Sequence, residues 1–218
     1  MEALIGNGLV GKIVSSIVKP AYIFTSSNIG DIQNISWDTI WCAAPSGNRI
    51  TAHNNPDQDT ASVDRLIDIL NNTYSNKIVL FSTGDTQVKP NTVYGANRLK
   101  LEQSVQKNKN YSIIRLPGLI HKSITKNILY DIRNRVWLDK INPNHRLQWL
   151  DLNNLRDWIY TTDKEVNVCS EPILARDLLE RFVPDISFSD LGPGDYYDLK
   201  PYSYTQAEIF DSIEAYLR

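Results

Sequence analysis

Two side chains suited to moving a proton at an oxygen lie close together in this chain. Thr83 follows the apolar run KIVLFS, within Ser82-Thr83-Gly84-Asp85. Tyr94 comes eleven residues later, at the head of YGANRLKLE. A hydroxyl at the carboxyl end of a parallel strand stands where such sheets bind ligands. Tyr94 and Arg98 are four apart, so on a helix they share a face. A phenol beside a fixed cation has its phenolate stabilised, which predicts a Tyr94 pKa lowered toward neutrality and a role in proton transfer. Asp85 reads first as a turn former after Gly84, and second as a substrate contact.

A different chemistry is written near the start. Gly6-Asn7-Gly8-Leu9-Val10-Gly11 matches G-x-G-x-x-G, follows an apolar strand and opens a helix. Gly6 permits the tight turn, Gly8 lets backbone approach a pyrophosphate, and Gly11 allows close helix–sheet packing. The pattern predicts a dinucleotide. Where an acid for the ribose would stand, after the second strand, the chain has Thr25-Ser26-Ser27-Asn28. Without that acid a 2′-phosphate is not repelled, and Lys12 could lie near it, so the reading is NADP or NAD with a lean to NADP. Asp31 is the alternative ribose acid if the strand runs longer.

Regular elements must position these groups. Glu2–Ile5, Ala21–Thr25, a run within Ser36–Ala44, Lys77–Ser82 and Tyr111–Leu116 read as strands, and Leu9–Val18, Thr60–Asn71 and Tyr94–Gln106 as helices. This alternation implies right-handed βαβ units and a parallel sheet covered on both faces. The segment between the second and third strands is too short for a full crossover helix. After Pro117 we expect helices at Ile124–Asn134, Leu152–Tyr160, Ile173–Phe182 and Thr205–Leu217, strands at Arg146–Leu150 and Val166–Cys169, and a loop at Asp185–Ser203. Asn54-Asn55-Pro56 reads as a turn before a helix. The expected class is therefore α/β, a Rossmann-type doubly wound parallel sheet with a small C-terminal substrate-capping region. It is expected as one domain, with 1–120 mainly the dinucleotide-binding core and 121–218 mixing core with a small substrate-binding part.

Bulk properties narrow the partners. The chain has 218 residues, a formal charge of −2 and 42% hydrophobic residues, so neither nucleic acid nor an anionic membrane is expected as a partner. No apolar run approaches the roughly 18 residues of a membrane span. MEALIGNG has no basic leader region, so no signal peptide is expected and the setting reads as cytoplasmic. Cys42 and Cys169 read as buried thiols, and neither they nor His53, His121 and His145 show metal-ligand spacing, so no metal is expected. His121 and Lys122 read as solvated loop or substrate-facing residues. Lys126 and Asn127 read as phosphate contacts or helix caps. Trp137, Trp149 and Trp158 read as core or interface.

Taken in order, these motifs resemble the short-chain dehydrogenase/reductase superfamily, in its extended and atypical branch of nucleotide-sugar epimerases, dehydratases and reductases, in a compact form. GNGLVG looks like the glycine loop, WCAAP like the strand lining the cofactor, and FSTGD like the Ser/Thr strand with Thr83 at the hydroxyl position. YGANRLKLE looks like the Tyr-x-x-x-Lys helix, IIRLPGL like the segment beside the nicotinamide, and KNILYDI like the helix whose Asn contacts a nucleotide diphosphate. QWLDLNNLRDWI and EVNVCSEPILARDLLERF resemble later segments of the same branch.

The resemblance implies catalytic roles for Thr83, Tyr94 and Arg98. It implies cofactor contacts from Gly6, Asn7, Gly8, Leu9, Val10, Gly11, Ser26, Ala43, Ala44, Pro45, Arg98 and Pro117. Substrate contacts would come from Asp85, His121, Lys126 and Asn127. The implied activity is an NAD(P)-dependent oxidoreductase or epimerase acting on a nucleotide sugar, most simply a 4-keto-sugar reductase, with a homodimer suggested. The alternative is a dinucleotide-binding scaffold or sensor with little turnover. Two motifs depart from the branch. The glycine loop is one residue tighter than G-x-x-G-x-x-G, and Arg98 stands where the branch has lysine. Lys100 cannot replace it, because six residues on is the wrong helix face.

Overall fold

The structure, a computed structural model, describes residues 1–188 and 191–218. It divides into two compact units, the first made of Met1–Arg115 with Arg156–Val166 and the second of Leu116–Leu155 with Asn167–Arg218.

The first unit holds the sheet. In chain order its elements are β1 (Glu2–Ile5), α1 (Leu9–Val18), β2 (Tyr22–Phe24), β3 (Trp37–Cys42), α2 (Arg49–Asn54), α3 (Pro56–Asn71), β4 (Ser75–Thr83), α4 (Asp85–Val88), α5 (Val93–Val105) and β5 (Tyr111–Leu116). The six-stranded sheet runs β2-β1-β3-β4-β5-β9, its last strand being β9 (Glu165–Asn167). β1 pairs in parallel with both β2 and β3, and β3 in parallel with β4. The chain leaves β1 toward β2 and then returns past it to β3, so β1 and β3 flank the topological switch point. In open α/β sheets the crevice for ligands opens there, beyond the strands' carboxyl ends. Between β2 and β3 a 3₁₀ helix, Ile29–Asn34, replaces a crossover helix, as the short spacing predicted. Its Ile29 and Ile32 are buried, and the Ile32 carbonyl accepts the Trp37 indole N–H at 2.9 Å.

Two helices of this unit differ in what they bury. Pro56 opens α3, and Val63, Leu66, Ile69 and Leu70 form its inner stripe. Thr92 caps α5, its hydroxyl accepting from the Gly95 N–H at 3.1 Å. α5 buries Asn97, Arg98, Glu102 and Ser104 along with Tyr94, Leu101 and Val105. Charged groups with so little access to water need partners. Arg115 from β5 grips Glu102 with Nη2–Oε2 at 2.7 Å and reaches Glu165 on β9, also at 2.7 Å. Ser82 donates to the same Glu102 carboxylate at 2.5 Å.

The second unit comprises β6 (Gly118–Ile120), α6 (Ile128–Asn134), β7 (Arg146–Leu147), β8 (Trp149–Asp151), β10 (Ile173–Leu174), α8 (Ala175–Phe182) and α9 (Gln206–Leu217), with α7 (Arg156–Ile159) belonging to the first. β6 and β8 pair in parallel, and β7 and β10 antiparallel. Its core gathers Leu129, Ile132, Trp149, Leu178, Leu179, Ile209 and Ile213. Thr205 and Glu208 form a capping box at the start of α9. Among the described residues, no helix is long and apolar enough to cross a membrane.

Several expected elements change here. Arg146–Leu150 is not one strand. Buried Gln148 interrupts it, donating to the Ser170 and Leu199 carbonyls at 2.7 and 3.0 Å and accepting from the Leu199 N–H at 2.8 Å. The helix expected from Ile124 starts at Ile128, where Asn127 caps it. Leu152–Tyr160 splits into a 3₁₀ turn, Leu152–Leu155, and α7. Of Ile173–Phe182, the first two residues are β10. The expected loop at 185–203 includes residues 189–190, which lie outside the described residues. Trp149 is core, but Trp137 is 69% exposed. Cys42 and Cys169 are free and buried, as expected.

Candidate functional site

The glycine loop closes against the sheet. The Gly6 N–H donates to the Phe24 carbonyl and the Ala43 N–H to the Ile5 carbonyl, both at 2.8 Å, which brings the ends of β1, β2 and β3 side by side. Gly6 has φ +101°, and a Cβ there would come within 2.6 Å of the Ala43 carbonyl oxygen. A Cβ on Gly11 would collide with the Gly6 carbonyl, so close packing is what that glycine permits. Gly8 differs: a Cβ there would meet nothing within 4 Å. It is the N-cap of α1, with no side chain capping the helix. Backbone N–H groups of the first turn thus face open space, the geometry that accepts an anion. Asn7, Leu9 and Val10 complete the turn. Ser26 and Ser27 after β2 are exposed, with the Thr25 N–H bonded to Asn28 Oδ1 at 2.7 Å. Asp31 is exposed in the first turn of the 3₁₀ helix.

The segment after β3 leads from this loop to the hydroxyl pair. Ala43, Ala44 and Pro45 are half-buried. The Ser46 carbonyl accepts from Arg98 Nη2 at 2.7 Å, and a Cβ on Gly47 would lie 3.8 Å from the Tyr94 hydroxyl. Thr83 ends β4, and its hydroxyl lies near enough to the Tyr94 phenol to favour its ionised form. Thr83, Tyr94 and Arg98 are 9%, 9% and 4% exposed. The Arg98 guanidinium carbon lies 4.3 Å from the centre of the Tyr94 ring, confirming the shared helix face.

Two features correct the sequence reading. The first is the tyrosine's ionisation. Burial pushes the phenol above its ordinary value. Arg98, Arg49 and the nearby Thr83 hydroxyl pull downward and Asp85 pushes upward, and burial prevails. The expectation of a lowered value counted the cation but not the loss of water. The second is Asp85, which is more than a turn former. It is 1% exposed, starts α4 and is held by Arg49 with Nε–Oδ2 at 2.6 Å and Nη2–Oδ1 at 2.7 Å.

Asp59 went unseen in the sequence. Sitting in the first turn of α3, it takes both arms of Arg98, with Nη1–Oδ2 and Nη2–Oδ1 each at 2.9 Å, and a bond from Asn97 Nδ2 at 2.8 Å. Burial opposes its charge, but the Arg98 and Asn97 hydrogen bonds outweigh that and hold its carboxyl below the usual range. Its only sequence signal, an acid near a helix start, reads as ordinary dipole compensation. Arg49 carried no signal at all. Beside the phenol lies a cavity of about 170 Å³ lined by Arg49, His53, Asp85, Lys89, Thr92, Val93 and Tyr94.

The remaining predicted positions fall in the second unit. Pro117, between β5 and β6, is half-buried. His121 Nδ1 accepts from the Ser123 N–H at 3.2 Å. Lys126 is exposed. Asn127 caps α6: its Oδ1 accepts from the Tyr130 N–H at 3.0 Å and its Nδ2 donates to the Leu119 carbonyl at 2.9 Å.

No protein-family profile matches the sequence, and no curated protein sequence matches it. Solved structures do match by shape. UDP-glucose 4-epimerase from Thermotoga maritima, with UDP-glucose, superposes with a TM-score of 0.68 at 12% identity, covering 92% of this chain and 90% of that one. dTDP-4-dehydrorhamnose reductase from Yersinia enterocolitica gives 0.67 at 12% identity, over 99% and 98%. A GalE-like L-threonine dehydrogenase from Cupriavidus necator, in its apo form, gives 0.63 at 11% identity, over 100% and 99%. At such identities the likeness is one of fold: the chain has a Rossmann-type α/β fold.

Proposed function

We propose that this chain binds NADP or NAD at the Gly6–Gly11 loop and reduces a keto group of a nucleotide sugar. The observation that carries the reading is the placement of Tyr94 beside Thr83, with Arg98 stacked on the tyrosine, reached from the glycine loop through the Ala43–Ser46 segment. The residues present fit a dinucleotide, since Gly8 leaves the uncapped start of α1 open to a pyrophosphate. Ser26 and the absence of a carboxylate among Thr25–Asn28 support NADP, with Asp31 as the ribose acid if NAD is preferred.

A bound reduced nicotinamide supplies a hydride. The chain's own residues do the rest. The Thr83 hydroxyl holds the carbonyl oxygen, and Tyr94 gives that oxygen its proton. Arg98 steadies the phenol through its ring. Asp85 and its partner Arg49 line the cavity where the substrate's reacting end would enter. In the second unit Asn127 orders the turn that presents Lys126, and with His121 this turn is the proposed nucleotide-diphosphate contact.

NADPH oxidation with a panel of 4-keto nucleotide sugars tests the reading. Turnover with any member supports it, while silence across the panel together with tight cofactor binding favours the second reading, a dinucleotide-binding scaffold or sensor. One observation speaks for that alternative. Both arms of Arg98, at the branch's lysine position, are engaged by Asp59 and the Ser46 carbonyl.

A further inference from the structure

Arg98 is the group expected to draw the proton off Tyr94, and its surroundings limit that pull. Its guanidinium lies over the ring face, 4.3 Å from the centroid, where it touches the π cloud. The two nitrogens Nη1 and Nη2 are both turned to Asp59, and Nη2 also meets the Ser46 carbonyl. The pair is well shielded, with side chains 5% and 12% exposed. A bidentate carboxylate at 2.9 Å in so dry a place offsets part of the field that a lone guanidinium would exert, and the downward pull Arg98 keeps is outweighed by burial. Asp59 is itself anchored by Asn97, which shares a hydrogen bond with Thr60, so three residues of two packed helices fix one charge.

We propose that Asp59 is a positioning residue: by pairing with both arms of Arg98 it sets the guanidinium over the Tyr94 ring and offsets part of its charge, so that Tyr94 works as a proton donor to a carbonyl rather than as a base. This rests on the reductase reading given above. The other groups facing the phenol are consistent with it. Arg49, on α2, is paired with Asp85, on α4, so its charge is offset as well. Thr83 on β4 lies beside the hydroxyl and carries no charge, while His53 and Lys89 line the adjoining cavity. Burial then leaves the phenol protonated through neutral pH.

The carbonyl carbon gains the hydride and is reduced, and the nicotinamide is oxidised. The Tyr94 O–H bond breaks, and the new carbinol O–H forms. Water returns a proton to the tyrosinate.

The test titrates Tyr94 itself, which needs neither cofactor nor turnover. Tyrosinate absorbance is followed with pH in the wild type and in Asp59→Asn, each minus its Tyr94→Phe counterpart. In the wild type Tyr94 should ionise above the tyrosine value of about 10. In Asp59→Asn the Arg98 charge, no longer offset, should bring it down by about one pH unit or more, a roughly tenfold change. Asp59→Glu, which keeps the charge, should stay near wild type. Superimposable titrations for wild type and Asp59→Asn, or a wild-type Tyr94 ionising below 10, would overturn the proposal. Asp59→Ser removes the charge with a smaller side chain if the asparagine variant does not fold, and failure of both to fold would assign Asp59 to stability alone and overturn it too. Silence in the sugar panel would count against the reductase reading without touching this result.

Discussion

Two sets of arginines, one in each compact unit, are held in opposite ways. In the first, Arg98 and Arg115 are buried, and each meets a carboxylate through two nitrogens, Asp59 for one and Glu102 for the other. In the second, Arg133 and Arg135 end α6, Arg181 lies in the last turn of α8, and Arg218 follows α9. These side chains border an open cleft of about 400 Å³ with Glu214. Arg135, Arg181 and Arg218 are 51%, 51% and 78% exposed. Helix C-termini carry negative partial charge, so guanidiniums gathered there complement dipoles in water. Buried charge is tolerated only when it is placed, whereas exposed charge needs no placing. The first unit should therefore answer substitution with changed chemistry or lost folding, and the arginine-rich cleft with very little.

The largest effect expected is at Tyr94. Tyr94→Phe removes the proposed proton path and keeps the ring that Arg98 covers. Turnover in the NADPH assay should fall by roughly 10²–10⁴-fold, with dinucleotide affinity nearly unchanged by calorimetry. A variant as fast as wild type would remove Tyr94 from the chemistry.

Next comes the other buried pair. Arg115→Met leaves Glu102 at 1% exposure without its cation. Breaking one side of such a pair costs about 3–5 kcal/mol, which denaturant unfolding would read as a lower midpoint. Arg115→Met with Glu102→Leu should recover much of that loss. If the double variant is as weak as the single, the pair does more than satisfy itself.

The glycine loop separates binding from folding in one experiment. Gly8→Val places its side chain in open space, so the unliganded protein should melt as wild type does, while dinucleotide affinity falls by about 100-fold, or roughly 3 kcal/mol. Gly11→Val should unfold the loop instead, because its Cβ meets the Gly6 carbonyl. Equal effects from both would mean Gly8 has no ligand to admit.

These glycines were legible because turn geometry is a local property, and Tyr94 with Arg98 because helix spacing is too. The polar inner face of α5 was not. Periodicity detects apolar stripes, and here Asn97, Arg98, Glu102 and Ser104 occupy the buried side among Tyr94, Leu101 and Val105. Partners such as Asp59 for Arg98, or Arg49 for Asp85, lie 39 and 36 residues away in sequence and are set by helix docking alone. The same blindness reversed the expected shift of Tyr94, since sequence shows a neighbouring cation and hides the burial. Gln148 breaks a strand for a similar reason: its two carbonyl partners, Ser170 and Leu199, come from distant loops.

Acid should find the first unit's pairs more gently. The Asp59 carboxyl sits below its ordinary value, burial being outweighed by Arg98 and Asn97, and Glu165 sits below its own because Arg115 bonds it. A carboxyl lowered in the folded state contributes stability that is whole above its unfolded value, about 4, and is lost as pH falls through the folded one. Stability should thus be level from neutral pH to about 5 and decline below about 4. In Asp59→Asn that decline should be shallower, as urea unfolding across pH would show. Tyr94 has the reverse sign: raised in the folded state, it adds stability that is present below pH about 10 and lost as pH climbs above it.

The smallest effect expected is in the arginine-rich cleft, and it is the one on which the comparison turns. Arg181 bonds Glu214 at 2.7 Å, and Arg133 lies 4.9 Å from the centre of the Tyr216 ring. Neither guanidinium is enclosed as Arg98 is, so water replaces what a substitution removes. Arg181→Gln and Arg133→Gln should each lower the melting temperature by no more than roughly 2–4 °C at low salt, since a helix-end charge is worth at most about 1 kcal/mol at the surface. At about 0.5 M salt most of that difference should vanish, because the Debye length has shrunk to a few ångströms. Salt is the sharper of the two readouts. Dipole complementarity is screened, whereas a charge built into the packing is not. A loss that persists unchanged at high salt would show that these arginines are placed like Arg98 and Arg115, and the contrast between the units would fall.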